Sequence, residues 1–149
     1  MGYLLPRYIS NSDQSIGRTM ANSSSIISGI PDAILRLGTE TRFCGVVDSI
    51  GQMLYFRYRE DVPEPFFPEI EVEKEMVQAV AKMQSNERKT NLLGYLKYCV
   101  ISLEKIVRAI IPYGEFFVLI SFDGSTSNLD SLIREQVIPL LIGRRSTLA

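Results

Sequence analysis

A chain of 149 residues with 46% hydrophobic, 22% charged and 9% aromatic side chains has the apolar content of one globular domain and is not a disordered chain. With 16 basic and 17 acidic side chains its net charge is −1, so it lacks the basic excess that phosphate neutralisation needs, and nucleic acid is not expected as a partner. Histidine is absent and the two cysteines stand at 44 and 99. The commonest general base, the usual activator of Ser or Cys nucleophiles and any four-ligand zinc pattern are therefore missing, and neither a cofactor nor a metal is expected.

Residues 1–23 are polar and aperiodic and read as a flexible leader, with Tyr3, Leu4, Leu5 and Tyr8 as its apolar points. The start carries no signal-peptide pattern, and Pro6 stands where myristoylation wants Ser or Thr. No run reaches the roughly 18–20 apolar residues that a membrane span needs, so a soluble, cytoplasmic protein without membrane insertion is expected.

The domain is placed at residues 24–142 and a tail at 143–149. Ile26, Ile30, Ile34 and Leu37 recur at helical spacing, with Pro31 suited to a first turn and Gly38 to a stop. Arg42–Asp48 and Met53–Arg59 form a hairpin around Ser49-Ile50-Gly51. Leu54, Phe56 and Tyr58 on one face of its second strand point to a single-sided core. Three prolines make residues 60–68 an extended linker. A second helix is expected over Glu69–Gln84, with Val72, Met76, Ala79 or Val80, and Met83 as its stripe. Strands follow at Tyr95–Leu103, Ile106–Ile111 and Glu115–Phe122, with Pro112-Tyr113-Gly114 as a turn. The last strand is apolar throughout, which calls for a central place covered on both faces. A final helix carries Leu129, Leu132, Ile133, Gln136 or Val137, and Leu140. Its start is expected to be capped from the segment 123–127, and Pro139 is expected to end or kink it.

Short connections within each strand group demand antiparallel hairpins. The fold class is thus α+β, an αββαβββα sandwich around a five-stranded antiparallel sheet of order 2-1-5-4-3. The first and last helices share one face and the middle helix covers the other. Together with the opening Gly45-Val46-Val47-Asp48-Ser49-Ile50-Gly51-Gln52-Met53-Leu54, this order resembles the Roadblock and dynein-light-chain family of the longin and profilin-like group. The segments Arg108–Pro112 and Phe116–Asp123 are similar to small archaeal Roadblock-like proteins. The resemblance implies a non-catalytic, dimerising scaffold, homomeric or paired with a related subunit, that regulates a small GTPase or anchors a larger assembly.

An edge third strand leaves backbone groups for a twin to pair with, which makes Tyr95, Tyr98, Val100 and Ile101 interface candidates beside the second helix. Phe66 and Phe67, fixed between prolines, are candidate anchors for a partner or plugs beneath the helix. Arg57, Arg59 and Arg108 are candidates for a positive surface or a solvated sheet face, and Cys44 and Cys99 read as core thiols. Asp48, Asp123 and Asp130 are the carboxylates to weigh for catalysis; turn or capping work accounts for the first two. No Gly-rich phosphate loop with lysine and no nucleophile elbow is present in the sequence. A rival reading is a small-molecule sensor resembling PAS or Cache domains, with a pocket lined by Phe43, Phe56 and Phe117.

Overall fold

The computed structural model describes residues 25–62, 77–82 and 94–146. Helix α1 spans Ile30–Leu35, with Pro31 in its first turn, where the missing amide hydrogen costs nothing. A helical turn at 25–28 leads into it. Strands β1 (Thr41–Val47) and β2 (Met53–Tyr58) follow, then helical residues 77–82, here α2, and β3 (Cys99–Ser102), β4 (Ile106–Tyr113) and β5 (Phe116–Asp123). Helix α3 starts at Leu129–Leu132, passes through a π-helical turn at Ile133–Val137 and continues over Ile138–Ser146.

The sheet order is β2-β1-β5-β4-β3, antiparallel throughout, as the hairpin argument requires. The near-continuous apolar run of β5 sits in the middle because both its faces are covered. Val118, Ile120 and Phe122 pack with Ile27, Ile30 and Ile34 of the first helical segment and with Ile133, Val137 and Leu141 of α3. Phe117 and Leu119 pack on the other side with Phe43, Phe56 and Val77 and Val80 of α2.

Several local expectations change. The core is two-sided even at β2, where Tyr55 and Phe56 are both buried on opposite faces. Leu54 lies between the pairs Val46–Tyr55 and Val47–Met53. This bulge turns it to the α1 side, away from Phe56. In α2 the fully buried residue is Val77, outside the expected stripe, while Ala79 is exposed; Val72, Met76 and Met83 lie outside the described residues. Strand β3 is four residues rather than nine. Strand β4 runs through Pro112, which pairs with Phe117 beyond the last β3 contact at Ile110; there no neighbouring strand asks for its absent donor. The reversal moves to Gly114-Glu115, with Gly114 at φ 64°, the first-position glycine of a type II′ hairpin turn.

Asn128 in the left-handed region precedes α3, and no side chain caps that helix. Thr126 instead donates its hydroxyl to the Asp123 carbonyl at 2.6 Å. Pro139 does not end the helix. The π turn lies immediately before it, where a proline ring would crowd the carbonyl four residues back. The wider turn also selects Val137 and Leu141 for the sheet over Gln136 and Leu140. No described helix is long and apolar enough to cross a membrane.

Candidate functional site

The two sheet edges differ in kind. Strand β2 carries the exposed Arg57, whose Nε lies 3.0 Å from Asp32 of α1; a charged, helix-backed edge resists pairing with another chain. Strand β3, Cys99-Val100-Ile101-Ser102, has no charge and is bonded on one side by β4. Within it Val100 is 39% exposed, and beside it Tyr95 is 72% and Leu103 44% exposed. The other two interface candidates are partly committed within the fold. Tyr98 donates its hydroxyl to Asp130 and lies with its ring centroid 5.5 Å from the Arg134 guanidinium. Ile101 packs on the α2-side core. Phe66 and Phe67 lie outside the described residues.

The three carboxylates weighed for chemistry are engaged in holding the chain. Asp48 Oδ1 accepts the amides of Ile50 at 3.1 Å and Gln52 at 2.8 Å. With Gly51 at φ 88° this is an Asx-type turn that fixes the β1–β2 reversal. Asp123 Oδ1 lies 3.1 Å from Arg42 Nη1 and its Oδ2 lies 3.3 Å from Arg59 Nη1. It therefore ties the ends of β1, β2 and β5, a role beyond the turn work expected of it. Asp130 accepts from Arg134 Nε at 3.0 and 3.1 Å as well as from Tyr98. Among the described residues no group of three or more Cys, Asp or Glu is placed to hold a metal ion.

Arg59 also donates to Asp61 and to the Thr39 carbonyl. Its bond to Asp61 raises the Arg59 pKa, and the same guanidinium holds the Asp61 carboxyl below the usual carboxylate range. A depressed carboxyl binds fewer protons folded than unfolded. Its contribution is present above the unfolded value of about 3.9 and is lost as pH falls through the folded one. Asp61 is exposed, so the effect is small. The stability gap between wild type and Asp61→Asn, seen in thermal melts at pH 6, is expected to narrow as the pH is lowered below the unfolded carboxyl value.

Arg57, Arg59 and Arg108 form neither a shared positive surface nor one solvated sheet face. Arg57 stands on the α1 side and Arg59 at the sheet end. Arg108 is 7% exposed, in register with Ser121 and Ile101 on the α2 side. Of the two thiols, Cys44 is buried and Cys99 is half-buried. Among the described residues Phe43, Phe56 and Phe117, the lining expected of a sensor's pocket, are packed core, with the rings of Phe43 and Phe56 centred 6.1 Å apart.

A cleft of about 510 Å³ opens elsewhere, between the β3–β4 corner and the C-terminal half of α3. Its cause is the shortness of β3. Beyond Ile110, strand β4 keeps β5 on one side but has no described strand on the other, and residues 96–98 are not part of β3, so Ile111, Pro112 and Tyr113 line a gap with Ile138, Leu141 and Ile142. The sequence pattern missed this because it extended β3 over the residues that form the wall. The signal was Pro112, a residue that fits a strand only where pairing stops.

A five-stranded sheet in the order 2-1-5-4-3, with α1 and α3 on one face and α2 on the other, defines the Roadblock/LC7 fold. Neither a family model nor a curated protein sequence matches the chain. Among solved structures it is similar to MglB of Myxococcus xanthus, at 12% identity over 91% of this chain and 92% of that chain, with a TM-score of 0.60. It is similar to the Roadblock/LC7 domain from Streptomyces avermitilis at 11% identity over 83% and 95%, TM-score 0.52. An MglB in a tetrameric arrangement matches at 16% identity over 90% and 95%, TM-score 0.52.

Proposed function

We propose that this chain is a non-catalytic interaction module that dimerises through β3, with Tyr95, Tyr98, Val100 and Ile101 at or beside the contact. The observation that carries this reading is the contrast between edges: β2 is guarded by the Arg57–Asp32 pair, whereas β3 is uncharged and flanked by exposed apolar side chains. Pairing with a second copy, or with a related subunit, would satisfy the open row of backbone groups and cover those side chains. A stable contact of this kind buries about 1,600 Å² in total. The Roadblock/LC7 fold, one relative of which is an MglB in a tetrameric arrangement, supports the choice. On the same reading the dimer is a cytoplasmic platform for a small GTPase or an anchor in a larger assembly, and Phe66 and Phe67 remain candidates for partner contact.

Sedimentation velocity across a concentration series tests dimerisation. Wild type is expected to be dimeric at micromolar concentration. Val100→Glu, which places like charges on both copies, is expected to raise the dissociation constant at least about tenfold with little change in the monomer's melting curve. A wild type that stays monomeric at several hundred micromolar would overturn the reading. The GTPase role is tested by whether capture of a partner differs between GTP-analogue and GDP loading.

A further inference from the structure

We propose that the cleft between the β3–β4 corner and α3 binds an alkyl monocarboxylate, with the tail inside and the carboxylate at the rim. The volume of about 510 Å³ lies within the range of small-molecule sites. The interior is supplied by Leu96, Ile111, Pro112, Ile138, Leu141 and Ile142. This surface is incompletely covered by the fold, since Ile142 is 62% exposed at the mouth, and it rewards an apolar guest in proportion to the area removed from water.

Charge complementarity selects the head group. Two cations, Lys97 and Arg134, line the same cleft. Arg134, with its side chain 55% exposed, donates from its Nε to Asp130 at 3.0 and 3.1 Å, and its guanidinium carbon lies 5.5 Å from the centre of the Tyr98 ring. Its two terminal amino groups make no hydrogen bond among the described residues. Lys97 makes no ion pair among them either. A guanidinium engaged through its Nε still offers its terminal donors to a carboxylate. Asp130 keeps one negative charge nearby, which favours a monoanion over a more highly charged head group. The cleft shares Tyr98 with the proposed dimer contact, and its other lining residues lie outside β3.

Decanoate, well below its micellar concentration, is the probe. Calorimetric titration of the full chain is expected to give saturable 1:1 binding with a dissociation constant below about 1 mM, and amide shifts are expected to localise to residues 96–98, 111–113 and 134–142. Decanol, which keeps the tail and loses the charge, is expected to bind at least about tenfold more weakly. Arg134→Gln is expected to weaken decanoate by a similar factor with the fold intact by circular dichroism. Ile142→Asp, on an exposed position, is expected to abolish binding. Absence of saturable binding overturns the proposal, as does equal affinity for decanol or shifts confined to another region. Sedimentation with anionic phospholipid vesicles but no response to decanoate would assign the cleft to a membrane surface instead. Decanoate affinity that falls as protein concentration rises would assign it to a second copy of the chain; either result overturns the proposal.

Discussion

Phe122→Ala is expected to lower the melting temperature by about 6–20 °C, the largest effect predicted for this protein. Phe122 is fully buried at the end of the central strand, in the cluster that joins the first helical segment, α3 and the sheet. Removing a buried phenyl ring loses its transfer free energy and leaves a cavity, for a cost of about 3–5 kcal/mol. Against a typical total of about 5–15 kcal/mol this is a large share. Neighbours on the same face come from three separated parts of the chain, so no single element can shift to fill the space. Urea unfolding followed by circular dichroism measures the loss. A cost under about 1 kcal/mol would mean that the two helices on this face are not packed on β5 as described.

Asp123→Asn is expected to cost about 1–2 kcal/mol, the next largest effect. The carboxylate sits between Arg42 and Arg59, both with side chains 24% exposed. These charged hydrogen bonds are partly shielded from water but not buried, and the estimate is reduced accordingly. The backbone reinforces the same junction: the Arg59 amide donates to the Arg42 carbonyl at 2.8 Å and the Asp123 amide to the Glu40 carbonyl at 2.9 Å. Because three strand ends meet there, the substitution is expected to increase hydrogen exchange at residues 40–42 and 58–60 before the rest of the sheet. A double-mutant cycle with Arg42→Gln isolates the pair. Zero coupling would reduce the contact to a surface ornament of the fold.

The sheet order was legible because it follows from connection lengths and from one run, Phe116–Phe122, that tolerates no wet face. Hairpin-joined groups leave few ways to put that run in the middle. The Asp48 turn was legible for a similar local reason, since Asp followed by Gly three residues later is chemistry the chain carries on its own. What failed depended on registers that only packing decides. The β2 bulge at Leu54 shifts a face without altering the alternation that a reader counts. Arg108 reads as a surface cation in isolation but is buried in β4, between Ile101 of β3 and Ser121 of β5. Of the proposed contact residues, the exposure of Val100 and Tyr95 agrees with an edge. The bond from Tyr98 to Asp130 spans 32 positions of sequence, a separation that strand periodicity does not encode.

The widened turn at Ile133–Val137 also sets how this chain must be aligned with others. A π turn holds one residue more than the α-helical turn it replaces. A homologue whose last helix is unbroken therefore matches this one only if a one-residue gap opens between Ile133 and Val137. Without the gap, Leu140 would be equated with the inward position that Leu141 holds, and every downstream column would be read one step out of phase.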